Sequence, residues 1–251
     1  MQLGAVQRHR EAHATPAALT PSFLFDPTQP LWLTVPLALF LLQFIKAAPF
    51  GYHVRVVASI LCNAAELLLT RSGGLPTPMS PTTTSHRVLL GDLDWNLHQN
   101  NSCYALEADV SRYTWFLQFF RASLLGGRFK LANGGFCAFF YREMRFLQRY
   151  TITTALHSVD EKWFYLVEKF APPPTAAEPA PPPFAVALTR IVVKQRSGKT
   201  VPPAEMMATI GYDAVHIAAL VARGAAAGSE GPSLSAVAAA FAPPPGPPKK
   251  D

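Results

Sequence analysis

The stretch that most constrains this chain is Asp92-Leu93-Asp94-Trp95-Asn96-Leu97-His98-Gln99-Asn100-Asn101, followed at once by a long apolar run. It crowds acids, amides and an imidazole into a sequence otherwise rich in alanine and proline. Before it, His86 to Leu90 predicts a short strand, and after it Ser102 to about Arg121 predicts a helix. Asn100 or Asn101 suits the N-cap, because an Asn side chain can accept from a free backbone N–H of the first turn. Tyr104, Leu106, Ala108, Val110, Tyr113, Trp115, Phe116, Leu117, Phe119 and Phe120 cover nearly the whole helix surface. Such a helix has to be buried on most sides. Strand, polar loop and swallowed helix together set an acid, an amide and an imidazole at the positive end of a helix dipole.

The spacing Asp92, Asp94, His98, Asn100, Asn101, Tyr104 resembles the first signature of hotdog-fold thioesterases of the 4-hydroxybenzoyl-CoA thioesterase type. Written Asp-Leu-Asp-x-Asn-x-His-x-Asn-Asn, it is also similar to that of the plant acyl-ACP thioesterases. The resemblance runs from about Arg87 to Gly211 and includes Asp160-Glu161-Lys162-Trp163-Phe164-Tyr165-Leu166. Many active relatives carry Gly just before the His, where this chain has Leu97.

The resemblance implies an α+β fold, a single hotdog unit in which an antiparallel sheet of five or six strands wraps one long central helix. It implies an acyl-CoA or acyl-ACP thioesterase, commonly a homodimer with the acyl site at the interface. It assigns Asp94 as nucleophile or general base, with Asn96 and His98 positioning it or a water. Asn100, Asn101, Ser102 and Tyr104 become the substrate-binding set. Backbone N–H groups near Asn100 to Ser102 would polarise the thioester carbonyl. Glu143 is a further candidate acid on the next strand; the alternative is an exposed Glu paired with Arg142 or Arg145. For Asp94 the alternative is a helix cap that only ties down the loop. A non-catalytic hotdog protein that binds acyl chains or partners at a membrane is the rival function.

Composition narrows the rest. Of the 251 residues 49% are hydrophobic and only 15% charged, which makes a membrane segment worth seeking. The net charge of +6 comes without a basic stripe interleaved with aromatics, which argues against a nucleic-acid partner. Cys62, Cys103 and Cys137 are scattered, with no metal-ligand spacing. They imply a reducing compartment and no structural zinc; no metal and no cofactor are expected.

Residues 1–30 are polar and proline-punctuated, which predicts a mobile segment. Leu31 to Tyr52 predicts a membrane-anchor helix, with Trp32 and Tyr52 at the interfaces and Lys46 reaching back toward water. Residues 53–85 predict an amphipathic helix and a Gly/Pro/Thr linker. Residues 86–212 predict the hotdog domain, with strands at 136–150, 151–157, 163–170 and 184–194, and a Pro/Ala loop at 171–183. Pro202-Pro203 is expected to end the domain, and 213–251 to be helical, then disordered. Lys46 and Arg55 flank the anchor, which puts the domain on the cytosolic side of an endoplasmic reticulum or other organelle membrane.

Overall fold

The computed structural model describes residues 31–69, 80–228 and 231–239. The expected mobile start, residues 70–79 of the expected helix and linker at 53–85, and the expected disordered end lie outside the described residues. The chain divides into two units, residues 1–42 and 43–251. In the first, α1 spans Leu31–Leu42. The second holds α2 (Gly51–Leu69), β1 (Thr82–Arg87), α3 (Asn101–Leu125), β2 (Phe129–Phe140), β3 (Arg149–Val159), β4 (Trp163–Ala171), β5 (Ala185–Gln195), β6 (Thr200–Val201), α4 (Pro203–Thr209), α5 (Ala214–Ala226) and α6 (Leu234–Ala239).

The strands form one antiparallel sheet in the order β1-β3-β4-β5-β2, with β6 added alongside β5. Alternation along β4 explains how the sheet is covered. Phe164, Leu166, Glu168 and Phe170 face α3, while Tyr165 and Val167 face the other way, into the cluster that includes Val186, Leu188 and Val237 of α6. The fold is α+β, with a long helix enclosed by an antiparallel sheet. Strand β1 begins before the expected start at His86, and the expected strand 136–150 is two strands separated by an irregular turn at 141–148.

Helix α3 carries two apolar clusters. Trp115, Phe116, Phe119 and Phe120 pack on Leu156, Phe164, Leu166, Ile191 and Met206. Nearer its N-terminus, Tyr104 and Ala108 pack on Val88, Met144, Tyr150, Ile152 and Phe170. Each such large side chain contributes about 1.5–3 kcal/mol by leaving water. Between the clusters lies a polar belt. Ser111 bonds Thr154 at 2.9 Å, and Arg112 meets Glu168 and Thr189 at 3.2 and 3.0 Å.

The segment expected to be a continuous anchor is not one helix. Helix α1 stops at Leu42, a run of turns follows with Phe50 at φ 63°, and α2 starts at Gly51. Among the described residues no helix is long and apolar enough to cross a membrane. Lys46 and Tyr52, expected at bilayer interfaces, point into the domain instead. Lys46 pairs with Asp92 and Glu107, and Tyr52 bonds Asp109. The physical reason is the pair of acids on α3, Glu107 and Asp109, which need partners once enclosed. Helix α2 is therefore amphipathic with its charged side inward: Arg55 pairs with Glu107, while Val54, Val57 and Leu61 are exposed.

The proline pair expected to end the domain opens α4 instead. Pro203 takes the first helical position, where a missing N–H costs nothing, and Met206 and Met207 enter the core. Helices α4 and α5 are parted at Gly211, whose φ of 90° suits only glycine. Leu220 of α5 and Val237 of α6 are both buried against the sheet.

Candidate active site

The polar stretch is a tight hairpin leading into α3. Leu93 pairs with Gln99 and His98 with Arg145 as isolated bridges. The Asp94 N–H donates to His98 O at 2.9 Å, and the Leu97 N–H to Asp94 O at 3.1 Å. Asp94 Oδ1 accepts the N–H groups of Asn96 and His98 at 2.8 and 3.4 Å. This turn forces Leu97 to φ 60°. A left-handed leucine costs about 1–2 kcal/mol, which gives the glycine of many relatives a steric reason. The loop then returns: the Asn100 N–H donates to Asp92 O at 2.8 Å, and α3 begins at Asn101.

Asn100 is the cap. Its Oδ1 accepts the Ser102 N–H at 2.9 Å and the Ser102 hydroxyl at 2.8 Å, and its carbonyl accepts the Cys103 N–H at 2.9 Å. The Asn100 and Ser102 amides are thus committed within the protein. The Asn101 N–H has no protein acceptor among the described residues, so it is the donor left at the helix mouth.

A cleft of about 260 Å³ opens there, lined by Asp94, His98, Asn101, Tyr104, Tyr141 and Glu143 among others. Of the residues expected to form the site, the cleft gathers Asp94, His98, Asn101, Tyr104 and Glu143. It does not gather Asn96, whose side chain is exposed and whose backbone alone contacts Asp94, nor Asn100 and Ser102, which make the cap. Tyr104 is buried edge-on to Phe140, and burial raises its phenol to about 12, so it stays neutral.

Glu143 lies on the turn after β2, not on a strand. Its Oε2 is 2.9 Å from His98 Nε2, and its other oxygen takes Arg145. Arg145, with the neighbouring imidazole adding to it, holds the Glu143 carboxyl below its usual range. Glu143 therefore faces His98 as an anion. A carboxylate against Nε2 fixes the orientation of the imidazole. Asp94 Oδ2 has no protein donor among the described residues, and Asp94 lines the cleft. A free carboxylate oxygen, a backbone donor at a helix N-terminus and a carboxylate-oriented imidazole are the parts that acyl transfer to water requires.

Residues 88–210 match the thioesterase-like superfamily. The chain is 26% identical over 168 residues to thioesterase poxG of Penicillium oxalicum, covering 59% of this chain and 55% of that protein. It is 27% identical over 157 residues to the Probable thioesterase atnL of Emericella nidulans, covering 52% of this chain and 51% of that one. The chain thus spans about half the length of these curated relatives. Among solved structures, Slr0204, a 1,4-dihydroxy-2-naphthoyl-CoA thioesterase from Synechocystis, aligns with a TM-score of 0.43 at 16% identity, over 55% of this chain and 99% of that one.

The cleft also has walls that were not among the expected site residues. Phe140 and Tyr141 wall the cleft, and Arg142, beside it, stacks on Phe184 at 4.7 Å. The charge cluster Arg142-Glu143-Met144-Arg145 was the available signal, because charges are scarce in this chain. The two acids of α3 take different partners. Arg112 meets Asp109 at 2.9 Å, but Glu107 is served by Lys46, Arg55 and His86. Cys103 is a packed residue, its thiol donating to Asp92 O and pushed up by burial.

Proposed function

We propose that this protein is a thioesterase that hydrolyses fatty-acyl thioesters of coenzyme A, or of an acyl carrier protein, with Asp94 as general base or nucleophile. The observation that carries this reading is the convergence of Asp94, His98, Glu143 and the Asn101 N–H on one cleft at the α3 N-terminus. The thioester oxygen would lie at the Asn101 N–H, where the helix dipole stabilises the developing negative charge. Asp94 would take the proton of an attacking water, or attack the acyl carbon itself to give a mixed anhydride that water then hydrolyses. His98, fixed by Glu143, would hold the water or return the proton to the leaving thiolate. Exposed Arg145, paired with Glu143 of the cleft, suits the phosphates of a coenzyme or phosphopantetheine arm. The test is hydrolysis of acyl-CoAs of graded length and of one acyl-ACP by the full chain. A chain that hydrolyses none of them but binds acyl chains would instead be the non-catalytic alternative.

The homodimer is part of this reading. Strand β2 ends the sheet, and a long open edge favours pairing with another strand. Exposed Phe139 and Phe140 on that strand, and exposed Trp95 on the site loop, would be covered by a second copy. Light scattering on the purified chain tests it.

A membrane is the second partner we propose, now by attachment to its surface and not by a span. Phe44, Ile45, Phe50, Val54, Val57 and Leu61 are exposed apolar side chains of one short segment, and α1 taken by itself is apolar all round. Free Cys62, Cys103 and Cys137 suit the cytosolic face of the endoplasmic reticulum or another organelle. Release from membranes by alkaline carbonate, and digestion of the domain by protease outside intact microsomes, are the expected results.

A further inference from the structure

The turn that precedes α2 is bound to the base of the site loop. Lys46 Nζ lies 2.8 Å from Asp92 Oδ2, 3.2 Å from Glu107 Oε1 and 2.6 Å from the Arg87 carbonyl oxygen. The Gly91 N–H donates to the Gln43 carbonyl at 3.2 Å. Gly91 also allows a close approach, because a Cβ there would stand 3.1 Å from Ala47 Cβ and 3.4 Å from Phe44 Cα. Residues 43–47 thus grip residues 87–92 through an ammonium held by two buried carboxylates, a backbone bond and a close contact.

Asp92 is the hub that receives this grip. It is 2% exposed. Its Oδ2 also accepts the Leu89 N–H at 2.8 Å, and its carbonyl accepts the Asn100 N–H at 2.8 Å. Asp92 therefore binds the chain before the loop and the cap residue after it. The hairpin between them carries Asp94 and His98. A shift of about 1 Å in a reacting group can cost roughly 100-fold in rate.

We propose that Lys46 is a positioning residue of the thioesterase site, holding Asp92 and, through it, the loop that presents Asp94 to the cleft. This rests on the reading of the cleft as a thioesterase site. It makes residues 43–47, which lie outside the family-matched region, a working part of that site. Lys46 touches no substrate; it acts through Asp92 and shares its charge with Glu107, whose remaining partners Arg55 and His86 stay in place.

The test compares Lys46→Met, Lys46→Arg and Gly91→Val in the full chain. Hydrolysis kinetics and amide hydrogen exchange across residues 92–101 are both read. Lys46→Met should lower kcat by roughly 10–100-fold with little change in KM, the pattern of a displaced reacting group. It should also speed exchange at Asp94 and Asn100 while leaving the middle of α3 protected. Lys46→Arg should recover most of both properties. Gly91→Val, which pushes the turn away without altering a charge, should reproduce Lys46→Met should that variant fold poorly. Unchanged kcat and unchanged loop exchange in folded Lys46→Met or Gly91→Val would overturn the proposal. If the wild-type chain hydrolyses no thioester, the site reading fails by itself, and the exchange alone then decides whether Lys46 holds the loop.

Discussion

Glu107 and Glu168 are both fully buried, yet their carboxyls are shifted in opposite directions. Burial pushes each toward its neutral form. At Glu107 that push is overcome by the His86 hydrogen bond and the charges of Lys46 and Arg55, which bring its carboxyl down to about 2. At Glu168 burial prevails: Arg112 and Thr189 offset only part of it, Asp109 adds a like charge, and the carboxyl rises to about 7. Depth does not decide the charge of a buried acid; the number and placement of its partners does. The well-partnered glutamate is the one joined through Lys46 to Asp92 and the site loop.

The comparison breaks most readily at Glu107. Glu107→Gln takes the carboxylate from Arg55 and leaves Lys46 with Asp92 alone, and should cost about 3–5 kcal/mol in chemical denaturation at neutral pH. The folded carboxyl lies below its usual value near 4.5, so its contribution is present above that value and is lost as pH falls toward about 2. The gap between wild type and variant should therefore close on acidification through that window. A gap that stays constant with pH would show that Glu107 acts by packing alone.

Glu168 should behave in the reverse sense. Its folded carboxyl is raised, so between about 4.5 and about 7 the native state holds a proton that the unfolded chain releases. Wild-type stability then declines as pH rises through this window, and Glu168→Gln should escape the decline. Relative to wild type the variant should gain up to about 3 kcal/mol between pH 5 and pH 8. Parallel stability curves over that range would contradict the contrast with Glu107.

A smaller effect sharpens the same contrast. Tyr52→Phe removes the hydroxyl that bonds Asp109, while Arg112 still serves that acid. The loss should be about 1 kcal/mol in thermal or urea unfolding. A loss as large as that of Glu107→Gln would make the α2–α3 contact one inseparable network.

The sequence made the site loop legible because its polar residues stand at fixed spacing before a helix apolar on most sides. Strand β4 and the Pro/Ala loop after it were legible for a similar reason: β-branched and aromatic residues end at a run of prolines that no sheet accepts. What escaped was pairing over long sequence separations. Lys46 lies in an apolar run and fits a snorkelling cation, until α3 presents Asp109 to Tyr52 and Glu107 to Lys46 and Arg55. Glu143 was expected on a strand, but Leu147 at φ 62° marks the turn that moves it beside His98. Pro202-Pro203 read as a stop because the first turn of a helix and its end both accept proline.

The central claim is that Asp94 drives hydrolysis from the mouth of α3. The direct measurement is single-turnover hydrolysis of a medium- or long-chain acyl-CoA by the full chain and by Asp94→Asn. The amide can still accept the Asn96 and His98 N–H groups, so the loop should keep its shape and the variant its melting point. The account predicts a fall in the hydrolytic rate of roughly 100-fold or more, as loss of a general base brings. Wild-type turnover in a folded Asp94→Asn would contradict it and remove Asp94 from the chemistry.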